Sequence, residues 1–111
     1  MTRVTLVKGN RRTVRIRFEG HAGTAPAGED LVCAAMSTLW CTLAATAAEH
    51  SWDGEVRENA GMREMEIHMT RSNRNEVWLC LGVILAGVKL LARDYPEAAQ
   101  YRELYFEEEK A

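Results

Sequence analysis

The stretch Gly20-His21-Ala22-Gly23-Thr24-Ala25-Pro26-Ala27-Gly28-Glu29-Asp30-Leu31-Val32-Cys33-Ala34-Ala35-Met36-Ser37 decides how the rest of the chain is read. Its first half holds Gly20, Gly23, Pro26 and Gly28, residues that interrupt regular structure, and so predicts a surface loop carrying His21. Its second half opens an apolar run of helical period just after Glu29 and Asp30, acidic residues of the kind favoured at a helix N-terminus. That reading puts Cys33 in the first helical turn, where unpaired backbone N–H groups and the macrodipole favour negative charge. A thiolate is such a charge. A histidine on a loop and a cysteine at a helix start are the parts of a nucleophile and its base, and helix-start amides, that of Cys33 included, are the donors expected to hold an oxyanion.

Before this stretch, residues 2–7 and 12–18 alternate, with Val4 and Leu6 on one face of the first and Val14, Ile16 and Phe18 on one face of the second. Lys8-Gly9-Asn10-Arg11 between them reads as a hairpin turn. Arg3, Arg15 and Arg17 fall on the opposite face, joined by Lys8, Arg11 and Arg12 near the turn; they are read as a solvated sheet face that discourages edge pairing. After it, the spacing predicts a helix over 30–50 with Val32, Ala35, Met36, Leu39, Leu43 and Ala47 as its core stripe. Cys33, Ser37 and Cys41 make a second line on that helix, suited either to a close helix contact or to the approach of a substrate. His50 near its end complements the C-terminal dipole.

Alternation returns at 54–59 and 63–70 around the turn signal Asn59-Ala60-Gly61, with Met65, Ile67 and Met69 facing the core and His68 facing solvent without a partner. A second helix is predicted over 75–93. It is almost continuously apolar from Val77 to Val88, a run too short to suggest a membrane span. It should be buried on more than one side, against the sheet and a second copy of the protein, with Gly82 and Ala86 allowing close approach and Cys80 as a small buried hydrophobe. Pro96 ends it, and the stretch from Glu97 reads equally as a strand or a short helix. The order β-β-α-β-β-α, with an extra strand or helix at the end, predicts an α+β fold: an antiparallel sheet from two hairpins packed with two long helices.

The 111 residues suit a single domain over 1–111, and 47% apolar with 27% charged residues is the balance of a globular chain rather than a disordered one. A net charge of −2 makes no case for a general nucleic-acid binder. Three cysteines, with Cys33 and Cys41 about 12 Å apart along one helix, suggest neither a disulfide framework nor a zinc site. His21, His50 and His68 lack the spacing of metal ligands, so no metal or other cofactor is expected. The N-terminus lacks the apolar core of a signal peptide, which makes a reducing cytoplasm the expected setting.

Gly20-His21-Ala22, a short Gly-containing loop and then Asp30-Leu31-Val32-Cys33-Ala34-Ala35-Met36-Ser37 together resemble the signature of the ribosomal-processing cysteine proteases called Prp, and the resemblance runs through the opening hairpin, the apolar second helix and Tyr95-Pro96. It implies a homodimeric endopeptidase with Cys33 as nucleophile and His21 as its base. It further implies a ribosomal protein precursor as substrate: removal of the N-terminal extension of a large-subunit protein after an aromatic or hydrophobic pair, under a Gly-rich loop that orders over the peptide. Gly20, Gly23, Asp30 and Ser37 are candidate supporting or substrate-binding positions. Asp30 is read first as a helix cap and second as a carboxylate that orients His21. The competing reading is a non-enzymatic ribosome-assembly or RNA-binding factor whose arginine-rich hairpin meets RNA. Neither a membrane nor direct nucleic-acid contact is expected for the peptidase.

Overall fold

The computed structural model describes residues 1–20 and 27–106, with residues 27–30 by backbone only. His21 and Gly23 lie outside the described residues, as does the side chain of Asp30. The elements run β1 (Thr2–Lys8), β2 (Thr13–Gly20), α1 (Ala27–Glu49), β3 (Asp53–Asn59), β4 (Met62–His68), α2 (Arg74–Asp94) and β5 (Ala99–Tyr105). They form one five-stranded sheet in the order β3-β4-β2-β1-β5, an α+β arrangement.

Both hairpins form where alternation predicts them. β1 pairs antiparallel with β2, Leu6 opposite Ile16, and β3 with β4, Val56 opposite Met65. β2 and β4 join the hairpins, with Ile16 facing Met65 and Val14 facing Ile67. The C-terminal stretch resolves as a strand, and β5 lies parallel to β1 with Thr2 beside Ala99 and Val4 beside Tyr101. The sheet is therefore mixed rather than wholly antiparallel. A strand that returns from the sheet through a covering helix can pair parallel, whereas a tight turn can only give an antiparallel neighbour.

Val4, Leu6, Val14, Ile16, Met65 and Ile67 form one buried cluster with Val32, Met36, Trp40 and Leu43 of α1 and Val77, Leu81, Ile84, Leu85 and Val88 of α2. The predicted stripe of α1 thus faces the sheet, with Trp40 added to it. Both helices have the length and apolar content to cross a bilayer, each with mean hydropathy 1.6 over 19 and 21 residues, and in this fold each packs a face against strands instead. Gly87 lets α1 come close, since a Cβ there would stand 3.0 Å from Leu39. Gly82 has no neighbour within 4 Å, so the close approach expected at Gly82 and Ala86 is not made by α1. Cys80 is half-buried rather than enclosed.

The face of the sheet away from the helices carries an ion-pair ladder that sequence could not assign. Glu64, 4% exposed, accepts from Arg17 at 2.7 Å and from Arg57 at 3.2 Å. Arg15 donates to Glu66 at 2.7 Å and lies over the Phe106 ring. Arg15 and Arg17 are therefore neutralised by the neighbouring strand rather than solvated, because the β2–β4 register sets Arg15 opposite Glu66 and Arg17 opposite Glu64. His68 has two partners instead of none: Glu66 at 2.7 Å through Nε2 and Asp53 at 3.3 Å through Nδ1.

The hydrogen bond to Glu66 is the main cause that raises the His68 pKa above 6.5, and the same contact, with Arg15, lowers that of Glu66 below 4.5. The His68 contribution to stability is present in full below its unfolded pKa and is lost as pH rises through the raised folded value. The Glu66 contribution is present above its unfolded pKa and is lost as pH falls through the lowered one. The urea midpoint of the wild type should accordingly fall between about pH 5.5 and about pH 8, and His68→Gln should flatten that fall. An equal fall in the variant would show that the pair does not carry it.

Candidate active site

α1 begins at Ala27, three residues earlier than the acidic pair suggests. Nothing from Ala27 to Asp30 forbids the helix, and a single Gly28 costs only about 1 kcal/mol, which the long apolar stripe outweighs. Cys33 consequently sits in the second turn, beyond the N–H groups that lack intrahelical acceptors. The amide of Cys33 is therefore not one of the helix-start donors, and the free amides belong to the turn before it.

The position of Cys33 is set by the rotation of the helix. Val32 and Met36 point into the core, 0% and 2% exposed, and this leaves Cys33 half-buried at the border of that stripe and Ser37 exposed beside it. A groove of about 330 Å³ opens there, lined by Cys33 and Ser37 on the helix and by Gly20 at the end of β2. Met36, Trp40 and Phe18 give it an apolar floor, the last two in edge-to-face contact at 5.5 Å. Its far side is the β3–β4 turn with Glu58, Asn59, Gly61 and Arg63. The Cys33 Sγ lies 3.8 Å from the Thr2 hydroxyl.

The groove end where β2 stops is held by backbone. The Gly20 N–H donates to the Gly61 carbonyl at 2.9 Å. Gly61 has φ +79, and a Cβ on it would come within 2.9 Å of the Gly20 oxygen. A Cβ on Gly20 would meet the Thr2 hydroxyl at 3.1 Å. Gly61 is thus required by its backbone and by close approach, Gly20 sits tightly against the Thr2 side chain, and the chain leaves for His21 from a point anchored in the groove wall.

Of the predicted site residues, the fold brings Cys33, Ser37 and Gly20 to one groove. Cys41, the third member of the Cys33–Ser37 line, is exposed and does not line it. Thr2 and Trp40 were not legible as site residues. Trp40 follows Met36 by four positions, which marks it for the same face; Thr2 reaches Cys33 only through the pairing of β1 with β2. Among the described residues no cluster of histidine, cysteine and carboxylate side chains is arranged to hold a metal ion.

The family described as cysteine protease Prp matches residues 1–100. The chain belongs to this family. Solved structures with the same fold include SMU.848 from Streptococcus mutans, 25% identical, with 95% of this chain and 98% of that one aligned at a TM-score of 0.70. The essential ribosomal processing protease Prp from S. aureus, in complex with a substrate peptide, is 21% identical over 95% of this chain and 99% of that one, TM-score 0.71. The same enzyme with a covalently linked product peptide gives 21%, equal coverage and 0.72. No curated protein sequence matches the chain. Membership of the Prp family supports a protease, and Cys33 is the one cysteine of three that lines the groove.

Gly61→Ala should destabilise the fold by about 1–2 kcal/mol, from the left-handed backbone and the clash with the Gly20 carbonyl, read as a lowered urea midpoint. A neutral result would mean that the β3–β4 turn does not pin the end of β2.

Proposed function

We propose that this Prp family member is an endopeptidase in which the Cys33 thiolate attacks the scissile carbonyl and His21 serves as its base, acting in the cytoplasm on the N-terminal extension of a large-subunit ribosomal protein. The observation that carries the reading is the half-buried Cys33 beside an apolar floor and at the end of the strand that leads directly into His21. His21 takes the thiol proton. The sulfur bonds to the carbonyl carbon, and the π electrons of the carbonyl move to oxygen. Collapse expels the amine, which receives the proton from His21 and leaves a thioester. Water, deprotonated by the same imidazole, then releases the acid and restores the thiol. Phe18, Met36 and Trp40 suit an apolar or aromatic side chain next to the cleaved bond, in keeping with the expected hydrophobic pair.

The non-enzymatic reading relied on the arginine-rich face of the first hairpin. Arg15 and Arg17 there already bond Glu66 and Glu64, which lowers the charge that face offers to RNA.

The enzyme is further proposed to act as a homodimer through α2. Leu79, Val83 and Leu90 are 72%, 67% and 51% exposed, and with Ala86 they form a stripe spaced four, three and four. Two antiparallel copies of this helix about a two-fold axis set Leu79 against Leu90 and Val83 against Ala86, and bring Glu76 near Arg93. The face is therefore complementary to itself in shape. The open Gly82 allows the close approach.

Cys33→Ala and His21→Ala should each lower cleavage of the extended ribosomal-protein precursor by at least about 10³-fold while circular dichroism stays unchanged; mass measurement of the products reads the outcome. Retained cleavage in either variant would overturn the assignment. Val83→Arg should shift the species seen by light scattering from dimer to monomer, and an unchanged dimer would place the interface elsewhere.

A further inference from the structure

Among the described residues three polar side chains are buried: Thr2, Thr5 and Glu64, at 7%, 0% and 4% exposure. Two of them have charged partners. The Thr5 hydroxyl accepts from Arg102 Nε at 3.0 Å, and Glu64 accepts from Arg17 and Arg57. The Thr2 hydroxyl has a different neighbour, the Sγ of Cys33 at 3.8 Å, and among the described residues no other side chain bonds it. A buried hydroxyl left without a hydrogen bond is costly, so the sulfur is the group that this one has to engage.

The hydroxyl is held firmly in place. Thr2 shares its face of β1 with Val4 and Leu6 of the buried cluster, which makes it the polar member of an otherwise apolar row. Its strand is paired on both sides, Thr2 with Gly20 of β2 and with Ala99 of β5, and its N–H donates to the Ala98 carbonyl at 2.8 Å. The branched Cβ narrows its choice of rotamer further. A Cβ on Gly20 would stand 3.1 Å from the hydroxyl, so the glycine keeps the oxygen uncrowded on its β2 side. The sulfur is less constrained. Helix packing fixes where Cys33 leaves α1, while rotation about its Cα–Cβ bond still decides where the sulfur points.

The two protonation states of the sulfur use this contact differently. A neutral thiol is a weak donor and a weak acceptor, and 3.8 Å is a loose contact for it. A thiolate has no proton to give, so the hydroxyl must donate, and a hydrogen bond to an ionised partner is shorter and about twice as strong as a neutral one. We infer that Thr2 is a positioning residue: its hydroxyl donates to the Cys33 sulfur anion and so fixes the direction in which the sulfur meets the groove. The inference rests on the reading of Cys33 as nucleophile. The sulfur carries charge before it attacks and again as the thioester breaks, and the hydroxyl serves it at both points.

The test compares the full-length wild type with Thr2→Val, which keeps the shape and removes the hydroxyl, and with Thr2→Ser, which keeps the hydroxyl and removes the methyl group. Iodoacetamide alkylation at neutral pH, followed by peptide mass mapping, reads Cys33 separately from the exposed Cys41. Thr2→Val should slow alkylation of Cys33 by at least about fivefold and leave Cys41 unchanged, whereas Thr2→Ser should stay within about twofold of the wild type. The urea midpoint should depend on the methyl group instead, lowered in Thr2→Ser and held in Thr2→Val. On the extended precursor, Thr2→Val should lower kcat by a similar factor with KM unchanged. Equal alkylation of Cys33 in wild type and Thr2→Val would overturn the inference, as would a Thr2→Ser variant as slow as Thr2→Val; either result is compatible with cleavage by the wild type. Failure of the peptidase reading shows separately, as a wild type that leaves the precursor whole while its Cys33 alkylation still depends on the hydroxyl.

Discussion

The constraint on which the molecule depends is the rotational setting of α1. Val32 and Leu43 are fully buried and Met36 and Trp40 nearly so, which holds one side of the helix against β1, β2 and α2. Burying a side chain of this size is worth about 1.5–3 kcal/mol, so turning the helix by even one position would cost several of them at once. The residues on either side of that stripe have no freedom of their own. Cys33 and Ser37 face the groove because Val32 and Met36 face the core, and the thiol is presented at the surface by apolar packing rather than by any bond that it makes itself.

The groove has two kinds of wall, and they differ in how they are held. The helical wall rests on hydrophobic packing, which is non-directional and tolerates small shifts. The wall formed by the end of β2 and the β3–β4 turn is held by a backbone hydrogen bond between Gly20 and Gly61, the second of which leaves no room for a Cβ. That geometry is directional and narrow. A polypeptide entering between these walls meets an apolar floor at Phe18 and Trp40 and a polar rim at Glu58 and Arg63, the composition expected of a cleft that lodges one hydrophobic side chain and leaves the main chain near water.

The other face of the sheet shows how register converts composition into electrostatics. Glu64 and Glu66 alternate with Met65 and Ile67, so they leave the core together and meet Arg17 and Arg15 across the strand. A buried Glu64 without those partners would be strongly unfavourable; with two arginines it becomes part of the sheet. Charge that looked available for a partner was therefore spent within the chain.

Much was readable from the residues in order. Alternation at Val4–Leu6, Val14–Phe18 and Met65–Met69 and helical spacing from Val32 to Leu43 follow from local geometry, because a strand turns its side chains over every second residue and a helix every 3.6. The Gly-His and Asp-to-Ser segments carried the family resemblance for the same reason: they are contiguous. What could not be read depends on pairs distant in sequence. The contact of Thr2 with Cys33, the Gly20–Gly61 pin and the partners of His68 exist only once strands adopt their order. The parallel placement of β5 likewise required the crossover through α2. Local sequence thus determined which segments form helix and strand and which side of each is apolar, since those properties reside in neighbouring residues. Tertiary structure alone decided the groove and the neutralised sheet face, since each is made of groups whose separation in the chain says nothing of their distance in space.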